Sequence, residues 1–403
     1  MDPEFGWSYL SANALARARA HLDDGSQGVR DEVGFLTLHQ RYADRFFPGT
    51  SVLHTRARYA LFVPWQFEDQ QGRPEADAKR ALLQAELRLA GRLKEAAQGG
   101  VIGGQVYPKP ADIPPSTIYW TALSAWGILR RDPLDRPPTR QKVRALLGPA
   151  RRTVDADNEP LMGFTAPFVT LPARPANWTA NTPLTFDLTA DEGSFLKERL
   201  SQVCNPPTSN TLSLLARLTK DGIKPPSSLF TSQPIVRTRA GRDRGPLERA
   251  EAMSHLAAIG RAIYAALVEE LRDRKDGKED TPRIHRDDLL RILHKHREPA
   301  LALGRHVIDL VEDDIGSLPT ALHDVLVTTL AWLDAGKRQP DNLLEVYAMA
   351  EGRKRGRARL PQTGDGRNRR LEWRSQDHPF AEPLHYRWGQ VRRLLSDIRM
   401  SQA

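Results

Sequence analysis

The chain is poor in sulfur. Cys204 is the single cysteine in 403 residues, which excludes an internal disulfide framework and a zinc site built from cysteines. With no nucleophile signature around it, Cys204 reads as a small buried thiol. Long apolar runs are missing as well. No stretch approaches the roughly 18 residues that a membrane helix needs, so no membrane partner is expected. The start, Met1-Asp2-Pro3-Glu4-Phe5, is neither basic nor followed by an apolar core; it reads as a remnant of cloning and not as a signal peptide. These absences together predict a cytoplasmic location.

Catalytic signatures are scarce too. There is no G-x-x-x-x-G-K-[ST], the glycines at 99–104 do not follow G-x-G-x-x-G, and G-x-S-x-G and H-E-x-x-H do not occur. His285, His294 and His296 lie close together, but His294 and His296 point about 200° apart on a helix. Beside Lys295 and Arg297, His294 and His296 read as surface residues, and neither a metal nor a cofactor is expected. Asp273 with Lys275, and Asp276 with Lys278, have the D-x-K spacing of metal nucleases, but at a charged helix end. No catalytic residue is identified, so the chain is read as non-catalytic.

Positive charge is what the sequence does contain. Lys and Arg number 59 against 50 Asp and Glu, for a net charge of +9. Between residues 352 and 374, Arg353, Lys354, Arg355, Arg357, Arg359, Arg367, Arg369, Arg370 and Arg374 face only Asp365 and Glu372. Nine basic residues against two acidic ones leave +7 in that window and +2 elsewhere. Such a block is the footprint of a phosphate-bearing polymer, because the planar guanidinium binds phosphate bidentately and stacks on bases. A solvated, flexible surface segment would look the same.

Periodicity predicts a mainly α, multi-helical fold. Helices are expected at 10–22, 29–46, 54–67 and 75–97, the last with Leu82, Leu83, Leu87, Ala90 and Leu93 inward. Others are expected at 117–129, 140–147, 189–204 with a Thr189/Glu192 capping box, 211–218, 247–275, 286–297, 300–313, 320–333, 342–351 and 383–398. The proline-rich stretch 151–187 reads as extended chain. Two helices followed by an extended ribbon fit a small winged-helix-like region. The division that follows is 5–110, 111–188, 189–350 and 351–403.

The densest cluster of unusual residues is Phe46 to Tyr59. Gly49 makes a turn whose Thr50 or Ser51 caps the helix that follows. The exposed N–H groups of such a turn favour an anion, which Arg56 and Arg58 would clamp. The alternative is a plain cap, with the arginines paired to Asp31, Glu32 or Asp44.

Gly6-Trp7, Phe47-Pro48-Gly49-Thr50-Ser51, Thr55-Arg56-Ala57-Arg58-Tyr59 and Phe62-Val63-Pro64-Trp65 resemble an uncharacterised bacterial family, a domain of unknown function. Tyr119-Trp120, Arg369-Arg370-Leu371-Glu372-Trp373 and Tyr386-Arg387-Trp388 extend the resemblance. It implies a genomic setting near helicases and other antiphage-defence components, and supplies no catalytic residue. The expectation is therefore a non-catalytic subunit that binds nucleic acid, DNA foremost, and docks on a helicase or another defence-complex protein. A protein scaffold and a metal-dependent nuclease with an unrecognised site are the alternatives.

Overall fold

The structure, a computed structural model, describes residues 32–132, 134–149, 166–206, 209–229, 234–278 and 282–402. Among them are sixteen α-helices. The first eight are α1 (Phe35–Phe46), α2 (Tyr59–Glu68), α3 (Glu75–Glu95), α4 (Pro115–Ile118), α5 (Trp120–Ala125), α6 (Arg140–Leu147), α7 (Ala190–Ser201) and α8 (Leu214–Lys220). There follow α9 (Pro234–Arg239), α10 (Arg244–Arg274), α11 (Ile284–Leu301), α12 (Val307–Ile315) and α13 (Thr320–Asp334). The last are α14 (Leu344–Gly352), α15 (Gly364–Leu371) and α16 (Trp388–Met400). The described residues form no sheet; their β-structure consists of two isolated antiparallel bridges, Leu129 with Phe168 and Cys204 with Leu212. The helix expected at 10–22 and the first part of the ribbon that a winged helix would need, 151–165, lie outside the described residues. The part of that ribbon within them, 166–187, contributes only the Phe168 bridge.

The chain divides into two units that interleave in sequence. One is built on Phe46–Ser227 and Arg387–Ala403, the other on Val29–Arg45 and Ser228–Tyr386. They are called here the motif unit and the arginine unit. The linear boundaries expected at 110/111 and 188/189 both fall inside the motif unit.

In the motif unit, α2 is buried at every position from Tyr59 to Phe67, as a helix without a polar face must be. Its aromatic residues meet Trp178 and Phe186, with Phe62 stacked on Trp178 at 5.8 Å. Helix α3 complements its own dipole, with Glu75 and Asp77 in the first turn and Arg92 and Lys94 in the last. Its inward face is shifted from the expected one: Ala78, Leu82, Glu86, Leu89, Ala90 and Leu93 are buried, whereas Leu83 is 42% exposed. A carboxylate within the apolar stripe hid the true face. Glu86 is buried because it accepts from Ser116 N–H at 2.8 Å, and burial raises its pKa. The Thr189/Glu192 capping box forms as expected at the start of α7.

In the arginine unit, α10 is the central helix, with almost every residue from Leu247 to Leu271 buried. Gly260 is required there. A Cβ at that position would stand 2.3 Å from the ring of Phe35 and 3.1 Å from the Tyr347 hydroxyl. The expected helix 300–313 begins only at Val307, because α11 runs on to Leu301 and ends in a turn at Gly304.

Candidate nucleic-acid interface

The arginine block folds around buried carboxylates. At its start Glu351, fully buried, accepts from the Tyr264 hydroxyl at 2.6 Å and from the N–H groups of Arg359 and Leu360, both at 2.8 Å. Lys354 stands 3.5 Å from the same carboxylate. Burial and the Glu351 charge push the Tyr264 hydroxyl pKa well up, so it stays a donor. The chain then passes through a 3₁₀ turn at Arg355–Arg357 and enters α15, capped by Thr363.

Helix α15 is pinned through its inner face. Arg370, 2% exposed, grips Asp276 bidentately at 2.6 and 3.0 Å and donates to the carbonyls of Arg359 and Pro361. Its donors are spent, so Arg370 is corrected from a nucleic-acid contact to an internal tie. Arg359 is also drawn inward, with its guanidinium 5.1 Å from the centre of the Trp373 ring. Arg353, Arg355, Arg357, Arg367, Arg369 and Arg374 are exposed. Arg369 links the two segments by donating to the Gly356 carbonyl at 3.0 Å, and it pairs with Glu372 at 2.8 Å. Arg355 adopts the left-handed conformation at φ 51, a costly choice for a side-chain-bearing residue.

Two further cations join this surface from the end of α10, about ninety positions earlier in the chain. Lys275 donates to Gln362 at 2.6 Å and Lys278 to the Leu371 carbonyl at 2.8 Å. The sequence flagged these lysines only as halves of D-x-K pairs. The aspartates of those pairs are engaged by arginines: Asp276 by Arg370, and Asp273, 2% exposed, by Arg272, Arg283 and Arg286. No cluster of three or more His, Cys, Asp or Glu that could hold a metal ion occurs among the described residues.

The Phe47–Tyr59 segment is the hub of the motif unit. Gly49 sits at φ +79, where a Cβ would fall 2.6 Å from that of Ala125. The turn is closed internally: Thr50 donates to the Phe47 carbonyl at 2.7 Å, Leu53 N–H donates to Ser51 Oγ at 3.2 Å, and Arg387 donates to the Thr50 carbonyl at 2.8 Å. Thr50 and Ser51 therefore cap no helix, since α2 starts only at Tyr59, and the anion-binding turn expected at Gly49, Thr50 and Ser51 is instead satisfied from within. Ser51 N–H donates to His54 Nδ1 at 3.3 Å, while His54 Nε2 lies 3.2 Å from the Ile118 carbonyl. Both ring nitrogens are thus used by the neutral tautomer, and burial lowers the His54 pKa to about 3.

The two motif arginines face inward. Arg58, 4% exposed, pairs with Glu192 at 2.7 Å and donates to the Thr185 carbonyl at 2.9 Å. Arg56 pairs with Asp397 at 3.0 and 3.2 Å, and the same carboxylate accepts from Ala57 N–H at 2.9 Å. Both are corrected from phosphate contacts to ties that hold α7 and α16. Their partners are neither Glu32 nor Asp44, but acids 134 and 341 positions away; Asp31 lies outside the described residues. Trp388 is likewise buried, against Phe47 at 5.8 Å.

Two more expectations change. His296 is buried, not a surface residue; its Nδ1 lies 2.7 Å from His255 Nδ1, and burial lowers its pKa to about 4. Cys204 is half-buried instead of fully buried. No helix among the described residues is long and apolar enough to cross a membrane.

Comparison with known proteins returns no curated protein and no solved structure. A family model does match, over residues 5–222, which takes in both the Phe47–Ser51 and Thr55–Tyr59 motifs and stops short of the arginine block. The chain belongs to this family of unknown function, DUF6361.

Proposed function

We propose that the chain is a nucleic-acid-binding subunit without catalytic activity of its own, acting beside a helicase or other effector in bacterial antiphage defence. The observation that carries the reading is the outer face of the arginine unit. Arg353, Arg355, Arg357, Arg367, Arg369 and Arg374 are exposed on one short stretch of chain, while its carboxylate anchors, Glu351 and Asp276, point inward. Such a surface binds the phosphate backbone, DNA foremost, through charge and guanidinium forks and not through base sequence. The defence setting rests on the family resemblance alone.

The test is fluorescence anisotropy with duplex DNA, single-stranded DNA and RNA across a salt series, with gels of the same samples in Mg²⁺ or Mn²⁺. Salt-sensitive binding without strand cleavage is the expected result. Cleavage would make the protein a nuclease. Absence of binding at low salt, with a protein partner retained on purification, would make the arginines a protein-docking face.

A further inference from the structure

A groove of about 640 Å³ in the motif unit takes no part in the arginine face. Its size is that of a small-ligand site. It is formed by the α4–α5 segment, the chain at 131–140 that leads into α6, and Gln202 and Cys204 beyond α7. The α4–α5 segment turns Thr117, Trp120, Thr121 and Ser124 toward it, the i, i+3, i+4, i+7 spacing of a single helix face. On a buried face these positions would be apolar; here three of the four carry hydroxyls. Thr121 is exposed and Ser124 half-buried, and neither hydroxyl makes a hydrogen bond among the described residues. Trp120 is half-buried and fixed in place, its Nε1 donating to the Pro138 carbonyl at 3.0 Å. With Pro48, Ala125 and Pro138 it supplies apolar wall.

Two arginines reach the groove in different states. Arg131 is balanced by Asp135 at 2.8 Å. Arg140, half-buried in the first turn of α6, forms no ion pair among the described residues. Its one hydrogen bond there runs from Nη1 to Thr117 Oγ1 and holds the guanidinium against the hydroxyl face. The other edge, Nε and Nη2, has no acceptor among the described residues and keeps access to solvent. Glu86 acts on Arg140 only through space, from the core position where it accepts from Ser116 N–H. A cation partly withdrawn from water without a paired counter-ion carries a desolvation cost that a bound anion offsets.

We propose that this groove binds a small-molecule phosphate monoester, with the phosphate on Arg140 and the hydroxyl face and the apolar body on Trp120. The free edge of a guanidinium forks onto two oxygens, which is all that a carboxylate has. A phosphate monoester brings a third terminal oxygen, and the unbonded hydroxyls of Thr121 and Ser124 are donors for it. The indole and the prolines give the rest of the ester an apolar surface to cover, which inorganic phosphate has no means to use.

The experiment is isothermal titration calorimetry of the full chain with phenyl phosphate, benzoate and inorganic phosphate. Phenyl phosphate is expected to bind roughly tenfold or more tightly than either of the others. Arg140→Gln should weaken it by roughly tenfold or more, whereas replacing Arg355, Arg357 and Arg374 by glutamine should leave it unchanged, which separates the groove from the arginine face. Thr121→Ala with Ser124→Ala should cost roughly three- to tenfold for phenyl phosphate and nothing for benzoate. Because neither hydroxyl is bonded within the described chain, the melting temperature of that double variant should hold, and it carries the test if Arg140→Gln fails to fold. Benzoate or inorganic phosphate binding as tightly as phenyl phosphate, undiminished binding in the folded variants, or no heat from phenyl phosphate would overturn the proposal. So would hexathymidylate that binds more tightly with a 5′-phosphate than without it and loses that gain in Arg140→Gln, which would make the ligand a strand end.

Discussion

Arginine clusters occur in both units, and their fates differ. In the motif unit Arg56 and Arg58 are enclosed by Asp397 and Glu192 and work as cross-links between segments distant in sequence. In the arginine unit a run of the same residue buries one member, Arg370, on Asp276 and leaves six others exposed, among them Arg367, 3.9 Å from the same Asp276, and Arg369, paired with Glu372. What separates the two cases is the supply of buried carboxylates, not the local sequence. A guanidinium buried on an acid becomes part of the frame; one that keeps its face in water, even beside an acid, can meet an external phosphate. Clustered basic residues in a sequence therefore do not by themselves identify a binding face.

The comparison can be broken most sharply at Glu192. Its replacement by leucine strands Arg58 as an uncompensated buried cation and should cost about 3–5 kcal/mol, read from urea melts; a loss under about 1 kcal/mol would mean that Arg58 is hydrated and available after all. Gly49→Ala comes next, since it combines a left-handed backbone with a contact that real side chains do not show. A destabilisation of roughly 2–4 kcal/mol is expected, with the melting temperature as readout.

Acid gives a third, smaller handle. His54 is held neutral in the fold with its pKa near 3, while the unfolded chain takes up the proton near 6.5. The unfolded state then binds more protons between these values, so stability should be complete above pH 6.5 and fall as pH drops toward 3. The slope from this residue is roughly 1 kcal/mol per pH unit. His54→Gln should flatten the profile of melting temperature against pH; an unchanged profile would assign the acid sensitivity elsewhere, with the buried His296 the next candidate. At the other extreme, replacing Arg355, Arg357 and Arg374 together by glutamine should shift stability by no more than about 0.5 kcal/mol per site. A large loss of stability would move these residues from the surface class to the frame.

Much of the architecture was legible from periodicity. The span of α6, the Thr189 capping box and the buried stripe Trp388, Val391, Leu394, Leu395 and Ile398 of α16 follow directly from local pattern. The inward face of α3 did not, because Glu86 is a charge inside the core and periodicity assigns charges to the outside. The site residues were less legible still. The Phe47–Tyr59 motif was recognisable, but whether its arginines point out or in depends on Glu192 and Asp397, which no local spacing connects to it. The same holds for Asp276 and Arg370, 94 positions apart. Lys275 and Lys278 were visible only as parts of a nuclease-like spacing, whereas their position beside α15 is a product of the tertiary fold.

The most direct test of the contrast between the two sets of arginines is the slope of log affinity for duplex DNA against log salt, measured for the wild type and for the Arg355, Arg357 and Arg374 to glutamine variant. If these side chains meet phosphate, the variant's slope should be shallower by about 0.9 for each contact removed, or roughly 2–3 in all, with its melting temperature nearly unchanged. An identical slope in the two proteins, or no binding by the wild type at low salt, would contradict the account.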